Sequence, residues 1–450
     1  MVRFRRLALA TLLAPLALAQ TPPAEFAAEG PHPRLLAPPR RLRLLQRERE
    51  RQSPRWLQLK SVVAAGASLP EPGFAHALYY LAGGEAEHAR QAIAWALEKG
   101  DDLRQLALVY DWCFDRLQAG EAGQLAAALR RRLQAPRQTD LPAVRSRLFA
   151  AVALADEAPE LASSELRFVV EEWWQRRIVP ALRRGEPAIG REETYPLVEI
   201  LHVVRDHVKI DLRQSYKAYF AALPIYHLLT YYPAIYPAAG NDFHIPVYDG
   251  NGEPDLRLAA LSRAAELSLV AFDPNALETQ FLQGWCMQDR FQMRGPFGAP
   301  YEFLWANPYH PGLSYYNAPL VLHQPERGLL VARSSWEETT GWFYYSAGGG
   351  MQTFRDGEIR RLSLADLDRP LELGRTVVRA LPPSGRFDVG YEDAITCYVI
   401  GLEPGERYDV EVDDEEVLEK TADRGGILVL EFPAGRKAGV RIRKAAAPAS

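Results

Sequence analysis

Eight of the chain's twenty tyrosines and four of its nine histidines fall between Tyr195 and Tyr248. Tyrosine offers an aromatic face to a sugar ring and a hydroxyl beside it, and histidine moves protons near neutral pH. Advancing 100° per residue from Pro196, the apolar residues Leu197, Ile200, Leu201, Val204 and Val208 form one helical stripe. Tyr195, Glu199, His202 and Asp206 form the opposite stripe, with Pro196 at the first helical position and Tyr195 at the cap. Solvent-facing stripes favour Lys and Glu over Tyr and His, so this face is expected to do polar chemistry. Downstream, Tyr231, Tyr232 and Tyr236 alternate with Pro233 and Pro237 as an extended aromatic wall, and Asn241, Asp242 and His244 follow as a polar loop. His227, set among Tyr226, Leu228 and Leu229, reads as a hydrogen-bonded core histidine.

The elements that must hold these groups are helix hairpins. From about Ala37 to Arg290 helical segments pair across short turns: Phe74 to Leu81 with Glu85 to Leu97, and Leu103 to Leu117 with Gly123 to Leu133. Leu141 to Ala155 pairs with Pro159 to Leu182, Pro196 to Val208 with Leu212 to Leu223, and Asp255 to Ala271 with Pro274 to Asp289. No fixed repeat period is present, and five or six such hairpins can close into a ring with a central cleft. Residues 287–317 carry Arg290, Arg294, Tyr301, Trp305, Tyr309, His310, Tyr315 and Tyr316, and read as an aromatic loop forming a wall or lid. From about Pro319 short runs rich in Val, Ile and aromatics, among them Gly328 to Ser334, Trp342 to Ser346 and Ile427 to Phe432, mark a β domain.

The N-terminus reads as a secretory signal over residues 1–19: Arg3, Arg5 and Arg6, the apolar run Leu7 to Leu18, then Ala17-Leu18-Ala19. A secreted or periplasmic protein without a membrane anchor is the expectation. Cys113, Cys286 and Cys397 allow one disulfide and do not say which. A net charge of −4 with interspersed signs leaves no footprint for nucleic acid. His202 and His207, five apart, point away from each other and cannot share a metal, and no nucleotide-binding glycine loop is present. No cofactor is expected. Asp111 and Asp115, four apart, would serve a hydrolase only if set further apart than one helical turn, and pairing with Arg116 or with backbone caps explains them more simply.

Several motifs together resemble the heparinase II/III-like polysaccharide lyases. These are His32-Pro33-Arg34-Leu35-Leu36, Tyr110-Asp111-Trp112 leading into Asp115-Arg116-Leu117, Glu193-Thr194-Tyr195 with Ile210-Asp211-Leu212, and Arg333-Ser334-Ser335-Trp336. The resemblance implies a multidomain α+β chain: an (α/α) toroid over 20–318, an antiparallel β-sandwich over 319–450, and an active site where they meet. It implies β-elimination on an acidic, uronate-bearing polysaccharide, with the carboxylate neutralised and a Tyr or His moving the proton. Tyr195 then serves as acid/base and His202 as base or carboxylate partner, beside Glu199 and His244. Arg290, Arg294, Trp305, Tyr315, Tyr231 and Asn241 are the expected substrate contacts. The chain departs from the family twice. Leu141 to Ala155 holds neither Asn nor His, only Arg145 and Arg147, and Gly349 to Asp356 lacks the family's β-domain histidine. Two other readings therefore stand beside the lyase: a glycan-binding toroid that has lost catalysis, and a glycoside hydrolase.

Overall fold

The structure, a computed structural model, describes residues 26–445 apart from 29, 66–67, 239–240, 289–291 and 415. The expected signal segment and Arg290 lie outside the described residues.

Caps and prolines punctuate the helical half. Helices α1 (Pro39–Glu50), α2 (Pro54–Ala64) and α3 (Pro72–Leu81) each begin on a proline, where its missing N–H costs no hydrogen bond, and Ser53 caps α2 by accepting from Trp56 N. Then come α4 (Ala86–Glu98), α5 (Leu103–Trp112), α6 (Ala119–Gln134) and α7 (Leu141–Ala153), with Asp102 and Asp140 capping α5 and α7. Helix α8 (Pro159–Arg167) widens into π-type winding over Phe168–Ile178 and tightens again as α9 (Val179–Arg183). Trp173 and Trp174 in the widened stretch donate to the Thr139 and Leu212 carbonyls, and so tie helices together as packing residues. Next are α10 (Thr194–Val208) and α11 (Lys217–Leu229), then a hairpin of β1 (Tyr236–Ala238) and β2 (Asn241–Phe243). Helices α12 (Leu256–Phe272), α13 (Leu277–Cys286) and α14 (Gly295–Trp305) complete the half.

Helices α3, α5, α7, α10, α12 and α14 pack in succession, and α14 returns onto α2 and α3, so the array closes into the expected ring. Its centre is filled, contrary to the expected central cleft. Arg104, Tyr195, Glu199, Tyr301, Glu302 and Trp305 are buried there. Three further corrections concern boundaries. Helix α10 starts at Thr194 with Glu193 as its cap, so Tyr195 is a helical residue. Helix α5 stops at Trp112, which puts Asp115 in a separate tight turn, Phe114–Arg116. The middle of the expected aromatic loop is helix α14, whose prolines, glycines and extensive burial hide its period.

The β half is three stacked layers. Strands β3 (Val321–Gln324), β4 (Leu329–Arg333), β5 (Trp342–Ser346), β6 (Gly350–Arg355) and β7 (Glu358–Leu362) form an antiparallel meander. They are followed by β8 (Leu371–Leu373), β9 (Thr376–Ala380), β10 (Arg386–Gly390), β11 (Ile395–Ile400), β12 (Arg407–Val412), β13 (Glu416–Thr421), β14 (Leu428–Phe432) and β15 (Lys437–Lys444). The middle sheet runs β14-β11-β9-β8 and contains one parallel pair, β9 with β11; the outer sheet runs β10-β15-β12-β13. Alternation along β4 sends Leu330 and Ala332 to the middle sheet, and Leu329 and Val331 to the helical core. One continuous core thus joins the ring to the first sheet. At that junction Trp342 Nε1 donates to the Leu229 carbonyl (2.9 Å) and Tyr232 donates to Gln352 (2.7 Å). Cys113, Cys286 and Cys397 are buried and unpaired, so the disulfide left open by the sequence does not form.

Candidate functional site

Helix α10 is central to the ring and buried on both stripes, so its polar stripe faces other side chains rather than an open cleft. Glu199 accepts from Arg104 Nη2 (2.6 Å), Arg145 Nη1 (3.0 Å) and the Tyr195 hydroxyl (2.6 Å). Burial works against ionising Glu199, but Arg104 and Arg145 outweigh it and hold the carboxyl below its ordinary range. Burial and the neighbouring Glu199 charge push the Tyr195 phenol well above its usual value, so it stays protonated. Tyr195 Oη also accepts from Trp305 Nε1 (2.9 Å) and Arg104 Nη2 (3.2 Å).

His202 is occupied on both nitrogens. Nε2 donates to the Ser268 carbonyl (3.0 Å) and Nδ1 accepts from Arg205 Nη2 (3.2 Å), which fixes one neutral tautomer. Burial, then Arg41 and Arg205, hold its pKa well below normal. As placed here, it has neither a vacant lone pair nor an outward proton. Both outcomes correct the expectation of an accessible Tyr/His face.

The nearest opening lies one side chain away. Trp305 separates Tyr195 from a cleft of about 900 Å³ between α1, the C-terminal ends of α10, α12 and α14, and the segment after α14. Arg40, Arg41, Arg43 and Arg47 of α1 and Arg205 of α10 line it, against Glu50 as the one acidic residue among the described lining residues. Arg205 pairs with Asp206 at 3.1 Å, whereas none of the four α1 arginines has an ion-pair partner among the described residues. Arg41 stacks on the Trp305 ring at 4.0 Å, and burial lowers it to about 10, still charged at neutral pH. Arg47 sits over Tyr309 at 4.1 Å.

The remaining wall, Asn307 to His310, is placed by close backbone approach. A Cβ on Gly284 of α13 would lie 1.9 Å from the Leu313 carbonyl oxygen, so only glycine lets this segment lie on the helix. Leu313 N donates to the Gln280 carbonyl (2.9 Å), and Gln283 Nε2 to the Asn307 carbonyl (2.8 Å). Asn307 Oδ1 accepts from Tyr309 N (3.0 Å), so its Nδ2 donates to His310 Nε2 (3.0 Å). His310 therefore carries its proton on Nδ1. Burial, with Arg40 and Arg41 nearby, lowers it to about 4 and keeps it neutral.

The other expected site residues lie elsewhere. Tyr231 is buried and donates to Glu266 (2.6 Å); its ring, with those of His244 and Tyr315, gathers around Trp285 within 5.9 Å, so the aromatic wall is core packing. Asn241 and Arg294 line a separate pocket of about 320 Å³. Of the expected substrate contacts among the described residues, Trp305 alone lines the arginine cleft. Asp111 accepts from the backbone N–H groups of Arg34 (2.9 Å) and Leu35 (2.7 Å) in the segment before α1, while exposed Asp115 pairs with Arg116 at 3.5 Å, so both carboxylates have structural partners and form no pair with each other. Arg147 serves Glu165, and Gln352 sits on the strand that lacks histidine, donating to the Tyr248 carbonyl. No cluster of three metal-ligating side chains occurs among the described residues.

Arg104 and the α1 arginines were not singled out from sequence. Their signals are a lone arginine inside the apolar run LRQLALVYDW, and five arginines against two glutamates in PRRLRLLQRERE.

No protein-family model and no curated protein matches this chain. Among solved structures it bears a distant similarity to heparan sulfate lyase HepC from Pedobacter heparinus, with a TM-score of 0.38 and 12% identity over 83% of this chain and 75% of that one. It also bears one to a glycoside hydrolase (TM-score 0.29, 10% identity, 83% of this chain and 71% of that chain) and to a GH127 β-arabinofuranosidase (0.24, 11%, 89% and 76%).

Proposed function

We propose that this is an exported carbohydrate-active protein that binds an acidic, uronate-bearing polysaccharide along the α1 cleft. The observation that carries the reading is the row of arginines without ion-pair partners facing a cleft with tryptophan and tyrosine rings. Guanidinium forks match carboxylate oxygens in pairs, and indole and phenol rings pack on sugar faces. His310 adds a neutral Nδ1–H donor at the same wall. No described helix is long and apolar enough to cross a membrane.

Cleavage by β-elimination is the second reading, and it rests on the thinness of the Trp305 wall. In that reaction an arginine neutralises the uronate carboxylate, a base takes the C5 proton, the C4–O bond breaks and an acid protonates the leaving oxygen. Protonated Tyr195 suits the acid role once Trp305 swings aside. A vacant base is what the closed arrangement lacks.

Affinity electrophoresis through gels containing alginate, heparan sulfate or chondroitin sulfate tests both readings. Retardation at low salt, lost in the Arg40→Ala/Arg43→Ala/Arg47→Ala variant, supports binding; unaltered migration of the wild type in every gel sinks it. Ultraviolet absorbance from a new C4=C5 double bond, absent in Tyr195→Phe, would establish the lyase. Retardation without absorbance would leave a binding protein.

A further inference from the structure

The pocket of about 320 Å³ that holds Asn241 and Arg294 shares no lining residue with the arginine cleft. The two open at opposite ends of the same helices: Leu256 and Ala260 of α12 against Ala271 and Phe272, and Phe297 of α14 against Trp305. Along α14 alone that is a separation of about 12 Å at the rise of an α-helix.

Three features of this pocket ask for a particular ligand. Its walls are chiefly apolar, with Phe243, Leu256, Met293 and Phe297 contributing. Its rim is cationic: Arg257 and Arg294 are exposed and have no ion-pair partner among the described residues, and no side chain caps the N-terminus of α14 beside them. Beyond it lies a space of about 20 Å³ that shares Asn241, Phe243, Ala260 and Met293 with the pocket and is also lined by Glu266. Glu266 is 1% exposed. Its Oε1 accepts from Arg191, His227 and Tyr231, while its Oε2 has no hydrogen-bond partner. A buried carboxylate oxygen left unmatched beside a water-sized space is a place for a donor.

We propose that this pocket is a second ligand site, for an aromatic acid bearing a hydroxyl at its far end. The carboxylate lies between Arg257, Arg294 and the start of α14, the ring lies among Phe243, Met293 and Phe297, and the hydroxyl donates to Glu266 Oε2. The ligand's two polar ends match the two polar ends of the pocket, and its apolar middle matches the walls.

Isothermal titration calorimetry of the full chain with para-hydroxycinnamate tests this. Saturable binding is expected, weakened at least about tenfold in Arg257→Ala/Arg294→Ala, two exposed positions whose loss leaves the core intact. Cinnamate, which lacks the hydroxyl, is expected to bind more weakly than para-hydroxycinnamate. The α1 triple-arginine variant is expected to bind both as the wild type does, which separates this site from the glycan reading. Absence of saturable heat, or an affinity unmoved by the double variant, overturns the proposal. Equal affinity for the two acids overturns the assignment of Glu266.

Discussion

Glu199, Glu266 and Glu302 lie inside the ring, and each is held by arginine: Arg104 and Arg145, Arg191, and Arg55 with Arg263. Removing one partner of such a pair costs far more than the pair contributes, because a desolvated charge is left behind. Arg104→Ala is therefore expected to destabilise the fold by about 3 to 5 kcal/mol. Tyr195→Phe keeps the ring contacts with Tyr301 and Trp305 and loses a hydrogen bond to a charged group, which should cost about 1.5 to 3 kcal/mol. Urea unfolding of the two variants checks the order. A Tyr195→Phe loss equal to that of Arg104→Ala would refute the assignment of Arg104 as the principal counter-charge.

At the scale of elements, α13 and the segment 306–314 form a unit whose contact depends on Gly284. Adding a methyl group there forces the Leu313 carbonyl away and carries Asn307 and His310 with it. Gly284→Ala should destabilise by about 1 to 3 kcal/mol, as overpacking does, and should also weaken glycan retention. Gly120, in the first turn of α6 with nothing near its absent Cβ, is the control. Gly120→Ala is expected to be neutral or to stabilise by up to about 1 kcal/mol and to leave retention unchanged. Thermal melts and affinity electrophoresis of both variants decide. Retained glycan binding in Gly284→Ala would show that the segment does not shape the cleft.

For the whole molecule, the ring and the first sheet share one core, so protons taken up by buried groups act on the entire fold. Burial, then Arg191, lowers His227 to about 4, against the pull of Glu266, and burial with Arg41 and Arg205 puts His202 well below its unfolded value near 6.5. Both groups bind protons more readily when unfolded than when folded over this range. Stability is therefore full above pH 6.5 and falls as pH drops from about 6.5 towards 4. A Tm that stays level between pH 7 and 4.5 would contradict the neutral, buried assignment, and His227→Gln should flatten the decline.

The sequence by itself determined the order of the helices, the change to strands near Pro319, and the segregation of α10 into two stripes, because these rest on local period and on Pro, Gly and Asp punctuation; it did not determine that α11 packs on α13 rather than on α10. Tertiary structure alone decided what each polar residue faces. The stripe of Tyr195, Glu199 and His202 points to the ring's interior, where arginines from α5, α7 and α10 meet it; such partners lie up to 95 positions apart and leave no mark in a local pattern. Helix α14 was illegible for a related reason, being buried on every side from Gly298 to Trp305, and the α1 arginines became a cleft wall only when the ring closed around them. The dense Tyr/His run thus marks the middle of the fold, and the charges most available to a ligand come from the chain's first helix.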